Sequence, residues 1–231
     1  MKKQRLVATP TAGDWDTYWS IKAPSQRAYG VIAGFYRKWI IKRTLNYYIR
    51  TMFPTGAALL HAGCGSGEVD TDLSDEMCLT AIDFSNEAAI TYTTCHPISR
   101  RLLLADVLRL PFATESFDGI FNLGVMEHFT EEEIVSTLTE MRRVLKPGGR
   151  VVLFWPPVWG LSVIVLYSIH QIFRVVFRKH LNLHPAELNL IRSRKQCEKW
   201  LKDAGLTLEL FRFGIRDLFT HQIVVARKIP D

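Results

Sequence analysis

Between residues 57 and 154 the sequence repeats one pattern: a short apolar run, a stretch of helical character, then another apolar run. The runs are AALLHA (57–62), CLTAI (78–82), RLLLA (101–105), GIFNL (119–123) and RVVLF (150–154). Strands apolar along their whole length need cover on both faces, so this alternation predicts an α/β fold with a doubly wound, mostly parallel sheet. The clearest helix spans 131–145. Thr130 is placed to cap it, Glu133 to complete a capping box, and Glu131, Glu132 and Glu133 suit the positive end of its dipole. Ile134, Leu138, Met141 and Leu145 form one apolar stripe at helical period, and Lys146-Pro147-Gly148-Gly149 stops it. Two later runs, LTLELFRF (206–213) and HQIVVARK (221–228), predict an antiparallel pair at the sheet edge.

Ahead of the first strand, 26–53 reads as an aromatic-rich helix carrying Tyr29, Phe35, Tyr36, Trp39, Tyr47 and Tyr48. Arg37, Lys38, Lys42 and Arg43 interrupt its apolar positions, and Pro54-Thr55-Gly56 ends it. The expected organisation is an N-terminal helical extension or lid over 1–54 and a main domain over 55–231, with an apolar helical insertion at 156–180.

The composition, 48% hydrophobic and 23% charged, is that of a globular chain and excludes a disordered or collagen-like one. Cys64, Cys78, Cys95 and Cys197 make no CxxC pair, so neither a disulfide framework nor a zinc site is expected, and a reducing compartment is. The opening MKKQRLVATP has a basic flank with no apolar stretch behind it, which disfavours secretion and points to the cytoplasm. The net charge of +6 is unevenly spread. Residues 1–50 hold ten Lys and Arg against two acids, residues 51–145 five against fifteen, and residues 146–231 fourteen against six. Two basic flanks around an acidic middle suggest a face that meets something anionic, whereas a nucleic-acid-binding domain is more often basic throughout.

The first strand runs into His61-Ala62-Gly63-Cys64-Gly65-Ser66-Gly67. Glycines at alternate positions between strand and helix allow a tight turn, with backbone N–H groups and a helix N-terminus facing a bound anion. Asp83 ends the second strand, where a carboxylate can accept from both hydroxyls of a ribose. Asp106 ends the third, where it can accept from an adenine amino group while Phe84 and Val107 sandwich the ring. All three features fall at the carboxyl edge, where open α/β sheets bind ligands.

Here the chain resembles the class I S-adenosylmethionine-dependent methyltransferases, in their small-molecule branch. The resemblance rests on LLHAGCGSG (59–67), LTAIDFS (79–85), LLLADVLRLPFATESFDGIFNLGVMEHF (102–129) and MRRVLKPGGRVVLF (141–154). It implies a Rossmann-like, seven-stranded sheet with an antiparallel last strand, and S-adenosyl-L-methionine as cofactor. It further implies that the glycine loop, with Gly63, Cys64, Gly65 and Gly67, holds the methionine part, Asp83 the ribose and Asp106 the adenine. His61 stands where many members have Asp or Glu, so one negative charge is missing near the cofactor's ammonium and sulfonium. Asn122 lies at the end of the fourth strand and is assigned to the same site. N-terminal segments of the family often fold over the cofactor, and Trp15, Tyr18 and Trp19 are the residues here that fit such a cover.

Methyl transfer is an in-line displacement, so the protein mainly orients the acceptor and keeps water out. His128, which follows the fourth strand, is the first candidate for a base or positioning group, and Glu127 the second. His96, His170, His180, His184 and His221 have no such constellation and are read as structural. The run from Trp155 to Phe177 is apolar nearly all round but contains Ser162, Ser168, His170, Gln171 and Arg174, which argues against a spanning helix. It suits the wall of an apolar acceptor pocket or a contact with the inner face of an anionic membrane. A hydrophobic small-molecule or lipid-like acceptor is the expectation. RNA methylation and non-catalytic cofactor binding are the alternatives. A nicotinamide-dependent oxidoreductase would leave Asp106 unexplained.

Overall fold

The computed structural model describes residues 9–20, 34–73, 75–96, 101–165, 167–168 and 187–229. Residues 26–33 of the expected N-terminal helix and 169–180 of the expected insertion lie outside them, as do His170, His180 and His184. One sheet is built from β1 (Ala58–Ala62), β2 (Cys78–Asp83), β3 (Arg101–Leu104), β4 (Phe117–Leu123), β5 (Leu145–Trp155), β6 (Leu206–Arg212) and β7 (Gln222–Lys228). Their spatial order is β3-β2-β1-β4-β5-β7-β6. β1 to β5 pair in parallel, and β7 is antiparallel to both its neighbours, β5 and β6. The seven-stranded Rossmann-like sheet with an antiparallel last strand is as expected. The two later runs form the antiparallel pair expected at one edge of the sheet, with β7 against β5 and β6 outermost.

Side chains alternate across the strands, and each face has its own core. Leu60, Ala62, Ile120, Val151, Leu153 and Val224 face one side. There they meet Ile134, Leu138, Met141 and Val144 of α4 (Glu131–Val144), together with Trp200 and Leu201 of α5 (Arg194–Asp203). Trp155 stacks on Trp200 at 5.1 Å between centroids, so the end of β5 is clamped to α5. Leu59, Phe121, Val152, Phe154 and Val225 face the other side and pack with Ile41, Leu45, Tyr48, Ile49 and Phe53. These last residues come from α2 (Lys42–Met52) and its flanks, so this part of the N-terminal helix shares its core with the sheet. The regular helix expected there is instead interrupted by a wider π turn at Arg37–Ile41. That turn brings Arg37 and Ile41 to the wall of the cavity described below.

The remaining helices frame the carboxyl edge: α1 (Ala12–Ser20) and α3 (Asn86–Cys95). α4 begins as expected. Thr130 Oγ1 accepts from Glu133 N, and the Glu133 carboxylate accepts from Thr130 N at 2.9 Å. Glu133 also accepts from Thr9 Oγ1, which ties the start of the described chain to the same cap. The KPGG segment ends the helix but continues as strand: β5 starts at Leu145 and bulges before Gly119 pairs with Arg150. Gly148, at φ +79°, takes the left-handed turn the bulge requires. Removing the cap with Thr130→Ala is expected to lower stability by about 1 kcal/mol. The check is a shift of the urea midpoint with unchanged slope.

Candidate active site

The strand order reverses direction between β1 and β4, and the crevice at such a switch point is where open α/β sheets bind ligands. A cavity of about 310 Å³ lies there. Its lining includes His61, Gly63, Cys64, Gly65, Gly67, Asp83, Phe84, Asp106, Val107, Glu127 and His128, so the structure brings eleven of the sequence-named residues to one place. Asn122 is the exception. It is fully buried, and its Nδ2 donates to Ala62 O at 2.8 Å, so it stitches β4 to β1 beneath the cavity and does not face it.

Glycine is required at two points of the loop. Gly63 has φ +75°, and a Cβ there would come within 2.5 Å of Val125 Cγ2. Gly67 has φ +69°, and its Cβ would strike Tyr92 and His96 of α3 at 2.5 Å. The loop offers space more than donors. Gly63 N and Cys64 N both donate to Ile82 O at 2.9 Å, Gly67 N to Cys64 O at 3.0 Å, and Gly65 N to Asp83 Oδ2 at 2.8 Å. The nest of free amides expected from sequence is corrected accordingly: these four N–H groups are spent on the turn itself.

Asp83 therefore holds the loop as well as facing the cavity. Its Oδ1 accepts from Ser85 N at 2.9 Å, at the start of α3. Burial raises its pKa even against the two amide donors. Asp106 is exposed, with Oδ1 accepting from Leu108 N at 2.9 Å.

The sequence offered no sign of Asp70, which is fully buried. Its Oδ2 is 2.6 Å from His61 Nδ1 and accepts from Tyr92 Oη at 3.2 Å; its Oδ1 is 2.6 Å from His96 Nε2. Burial alone would raise this carboxyl, but the charge and hydrogen bonds of His61 and His96 outweigh it and hold it at about 2. A carboxylate thus stands directly behind His61, nine residues further on, in place of one at position 61 itself. His96, read from sequence as structural, is part of this cluster.

In the same lining, Glu127 and His128 occupy a 3-10 turn, Met126–His128, and both are buried. The Glu127 backbone carbonyl accepts from Leu188 N and Asn189 N, so the chain returning at 187–191 packs against this turn. Glu127 Oε2 has no hydrogen-bond partner among the described residues. Burial, with a smaller push from Glu187, raises its pKa to about 8. His128 meets the ring of Trp15 edge to face at 4.8 Å. Trp15, Tyr18 and Trp19 of α1 line the cavity, and a Cβ on Gly65 would meet Trp19 Cζ2 at 2.8 Å. α1 is tied down by Asp16, whose Oδ1 accepts from Ser85 Oγ at 2.6 Å and Glu87 N at 3.2 Å.

A sheet of this order with a glycine loop at its switch point defines the fold of the class I S-adenosylmethionine-dependent methyltransferases. Magnesium protoporphyrin IX methyltransferase from Synechocystis PCC 6803, solved with bound SAH, shares the fold with a TM-score of 0.63 at 16% identity, covering 94% of this chain and 93% of that one. A SAM-dependent methyltransferase of Methanosarcina mazei does so at 0.60 and 20% identity, over 80% and 98%. Residues 60–153 match the family model described as Methyltransferase domain. Over residues 60–153 the chain thus matches a methyltransferase domain, within a sheet that has the S-adenosylmethionine-dependent methyltransferase fold. Among curated relatives, the tRNA (carboxymethyluridine(34)-5-O)-methyltransferase of Xenopus tropicalis is 28% identical over 110 residues, 47% of this chain and 16% of that protein. The Arabidopsis thaliana enzyme of the same name is 31% identical over 101 residues, 43% of this chain and 24% of that protein. The chain thus spans less than a quarter of the length of either.

Asp70→Asn is expected to destabilise the fold by about 3 kcal/mol or more, because it breaks a buried charge cluster. The folded pKa lies below the ordinary 3.8, so the carboxylate's stabilising share is present above that value and is lost as pH falls toward about 2. Acid-unfolding curves of wild type and variant should therefore converge as pH is lowered.

Proposed function

We propose that the domain transfers the methyl group of S-adenosylmethionine to an apolar small-molecule or lipid-like acceptor. The observation that carries this reading is the split character of the cavity. Its lining joins the carboxylates of Glu68, Asp83 and Asp106 to the largely apolar side chains of Trp15, Tyr18, Val125, Phe129 and Pro156.

The carboxylates fit a cofactor whose ammonium and sulfonium are cations. The bare Gly63 and Gly65 fit one that must approach the backbone, since an added Cβ would fill that room. In this reading His61, Gly63, Cys64, Gly65 and Gly67 hold the methionine part, with Asp70 supplying the negative charge behind His61. Asp83 holds the ribose; Asp106, Phe84 and Val107 hold the adenine. When bound, the cofactor supplies an electrophilic methyl group. The chain's part is to orient the acceptor and to exclude water, with Trp15 and Trp19 of α1 closing over the cavity.

Glu127 and His128 face the acceptor. With its pKa near 8, Glu127 is a neutral carboxylic acid at neutral pH and donates a hydrogen bond to the acceptor's polar atom. His128, held by Trp15, takes a proton where the acceptor has one to lose.

The relatives named as tRNA methyltransferases favour RNA as a second reading. Incubation with labelled cofactor, followed by counting of lipid extract, small-molecule and RNA fractions, separates the two. Label confined to RNA would overturn the first. Binding of S-adenosylhomocysteine by calorimetry tests the cofactor, and no heat would remove both readings.

Glu127→Gln is expected to lower kcat at least about tenfold, as for loss of a single proton-handling group, with S-adenosylhomocysteine affinity unchanged. Its stability should depend less on pH. The wild-type carboxyl has its folded pKa raised from 4.5 to about 8, so wild-type stability falls relative to the variant across that window as pH rises.

A further inference from the structure

The mouth of the cavity opens beside a face that a water-soluble surface would not need. Three segments build it. The first is the turn before α2, where Phe35 and Trp39 are 64% and 48% exposed. The second follows β5, where Trp159, Leu161, Ile164 and Tyr167 are 41% to 64% exposed. The third joins β6 to β7, where Ile215 is 73% exposed, with Leu218 and Phe219 beside it.

They form one surface. Leu161 N donates to Phe219 O at 2.8 Å, Trp159 and Phe219 both pack on Phe213, and Tyr36 Oη donates to Asp217 O at 2.7 Å. Thr44 Oγ1 donates to Arg216 O at 2.8 Å, which fixes α2 to the same turn. Tyr36, Ile41, Pro156, Ser162 and His221 line the cavity from these same segments, so the face adjoins it.

Two further features bear on what covers it. Leu218 and Phe219 are consecutive non-glycine residues at φ +57°, a strained conformation that holds two large apolar side chains outward. Strain of that kind, spent on exposure, indicates a contact made outside the chain. The rim is cationic: the Arg216 guanidinium sits 3.8 Å over the Tyr47 ring and that of Arg43 5.6 Å over Trp39. Both lie in the parts of the sequence that carry a basic excess, residues 1–50 and 146–231. Exposed aliphatic side chains, Trp and Tyr rings and guanidinium groups on one face match what a bilayer surface offers: acyl chains, interface, anionic headgroups.

We propose that this face docks on an anionic lipid bilayer, with the cavity mouth turned toward the acyl chains. No spanning segment is needed: among the described residues no helix is long and apolar enough to cross a membrane. The inference rests on the proposed apolar acceptor for its purpose, since such molecules partition into bilayers, but its surface argument stands without it.

The test is co-sedimentation of the full chain with phosphatidylcholine vesicles and with equimolar phosphatidylcholine–phosphatidylserine vesicles. Binding is expected to the mixed vesicles, at least about tenfold tighter than to phosphatidylcholine alone, and to weaken as salt is raised. The double variant Ile164→Ser/Ile215→Ser should lose at least about tenfold in vesicle affinity, with melting temperature and S-adenosylhomocysteine binding unchanged; neither residue lines the cavity. A chain that stays in the supernatant with both vesicles at low salt overturns the proposal. So does a double variant that binds as well as wild type. Light scattering that shows a dimer abolished by the double variant assigns the face to a second copy and overturns it too. Vesicle binding with label confined to RNA would sink the acceptor reading and leave the surface; labelled lipid without vesicle binding would do the reverse.

Discussion

One buried carboxylate organises the carboxyl edge of this sheet. Asp70 has no contact with water and is bonded to His61 at the end of β1 and to Tyr92 and His96 in and just past α3. A charge in that position is costly unless its lone pairs are used, and here three side chains use them. The arrangement makes strand, glycine loop and helix one unit, and the tight packing of Gly67 against Tyr92 and His96 follows from it. Asp83 repeats the device one strand over, bonding Gly65 N and Ser85 N. The cavity floor is thus held by Asp70 through side chains and by Asp83 through backbone amides, and with Ile82 O and Cys64 O taking the other N–H groups the loop presents room rather than unpaired amides.

The cavity's lining comes from different parts of the chain that carry different chemistry. Residues 51–145, with their acidic excess, provide the glycine loop and the carboxylates. The flanking segments, which are basic overall, add Trp15, Tyr18, Trp19, Tyr36, Ile41 and Pro156 to the lining, together with the exposed apolar face beside it. A cationic cofactor and an apolar acceptor would each meet a complementary surface. Glu127 lines the same cavity, buried and with Oε2 short of a partner, so its proton state depends on what enters.

Much of this was legible in the sequence, for identifiable reasons. Buried parallel strands have to be apolar along their length, so β1, β2 and β4 fall close to their expected positions. The α4 cap was legible because a capping box is a local code spanning four residues. Asp83 and Asp106 were legible because strand ends converge at one edge of such a sheet. Asp70 was not, since its partners lie nine and twenty-six positions away and meet only through the turn's path. Asn122 was misplaced for a related reason: nearness to a strand end does not say whether an amide points up into the cavity or sideways to Ala62. The loop amides were expected to face a ligand, but Ile82 O, Cys64 O and Asp83 take them, and the sequence does not reveal that.

The position of β7 has a consequence for how the chain is made. Residues 222–228 are almost all buried and hydrogen-bond β5 on one side and β6 on the other. During synthesis, every other strand leaves the ribosome before this one. Until it arrives, β5 presents an open, apolar flank, and β6 has no neighbour to join. The nascent protein must therefore carry an unfinished sheet from the completion of β5 until residues 222–228 emerge, and a stop ahead of them would leave a sticky product instead of a slightly shorter enzyme.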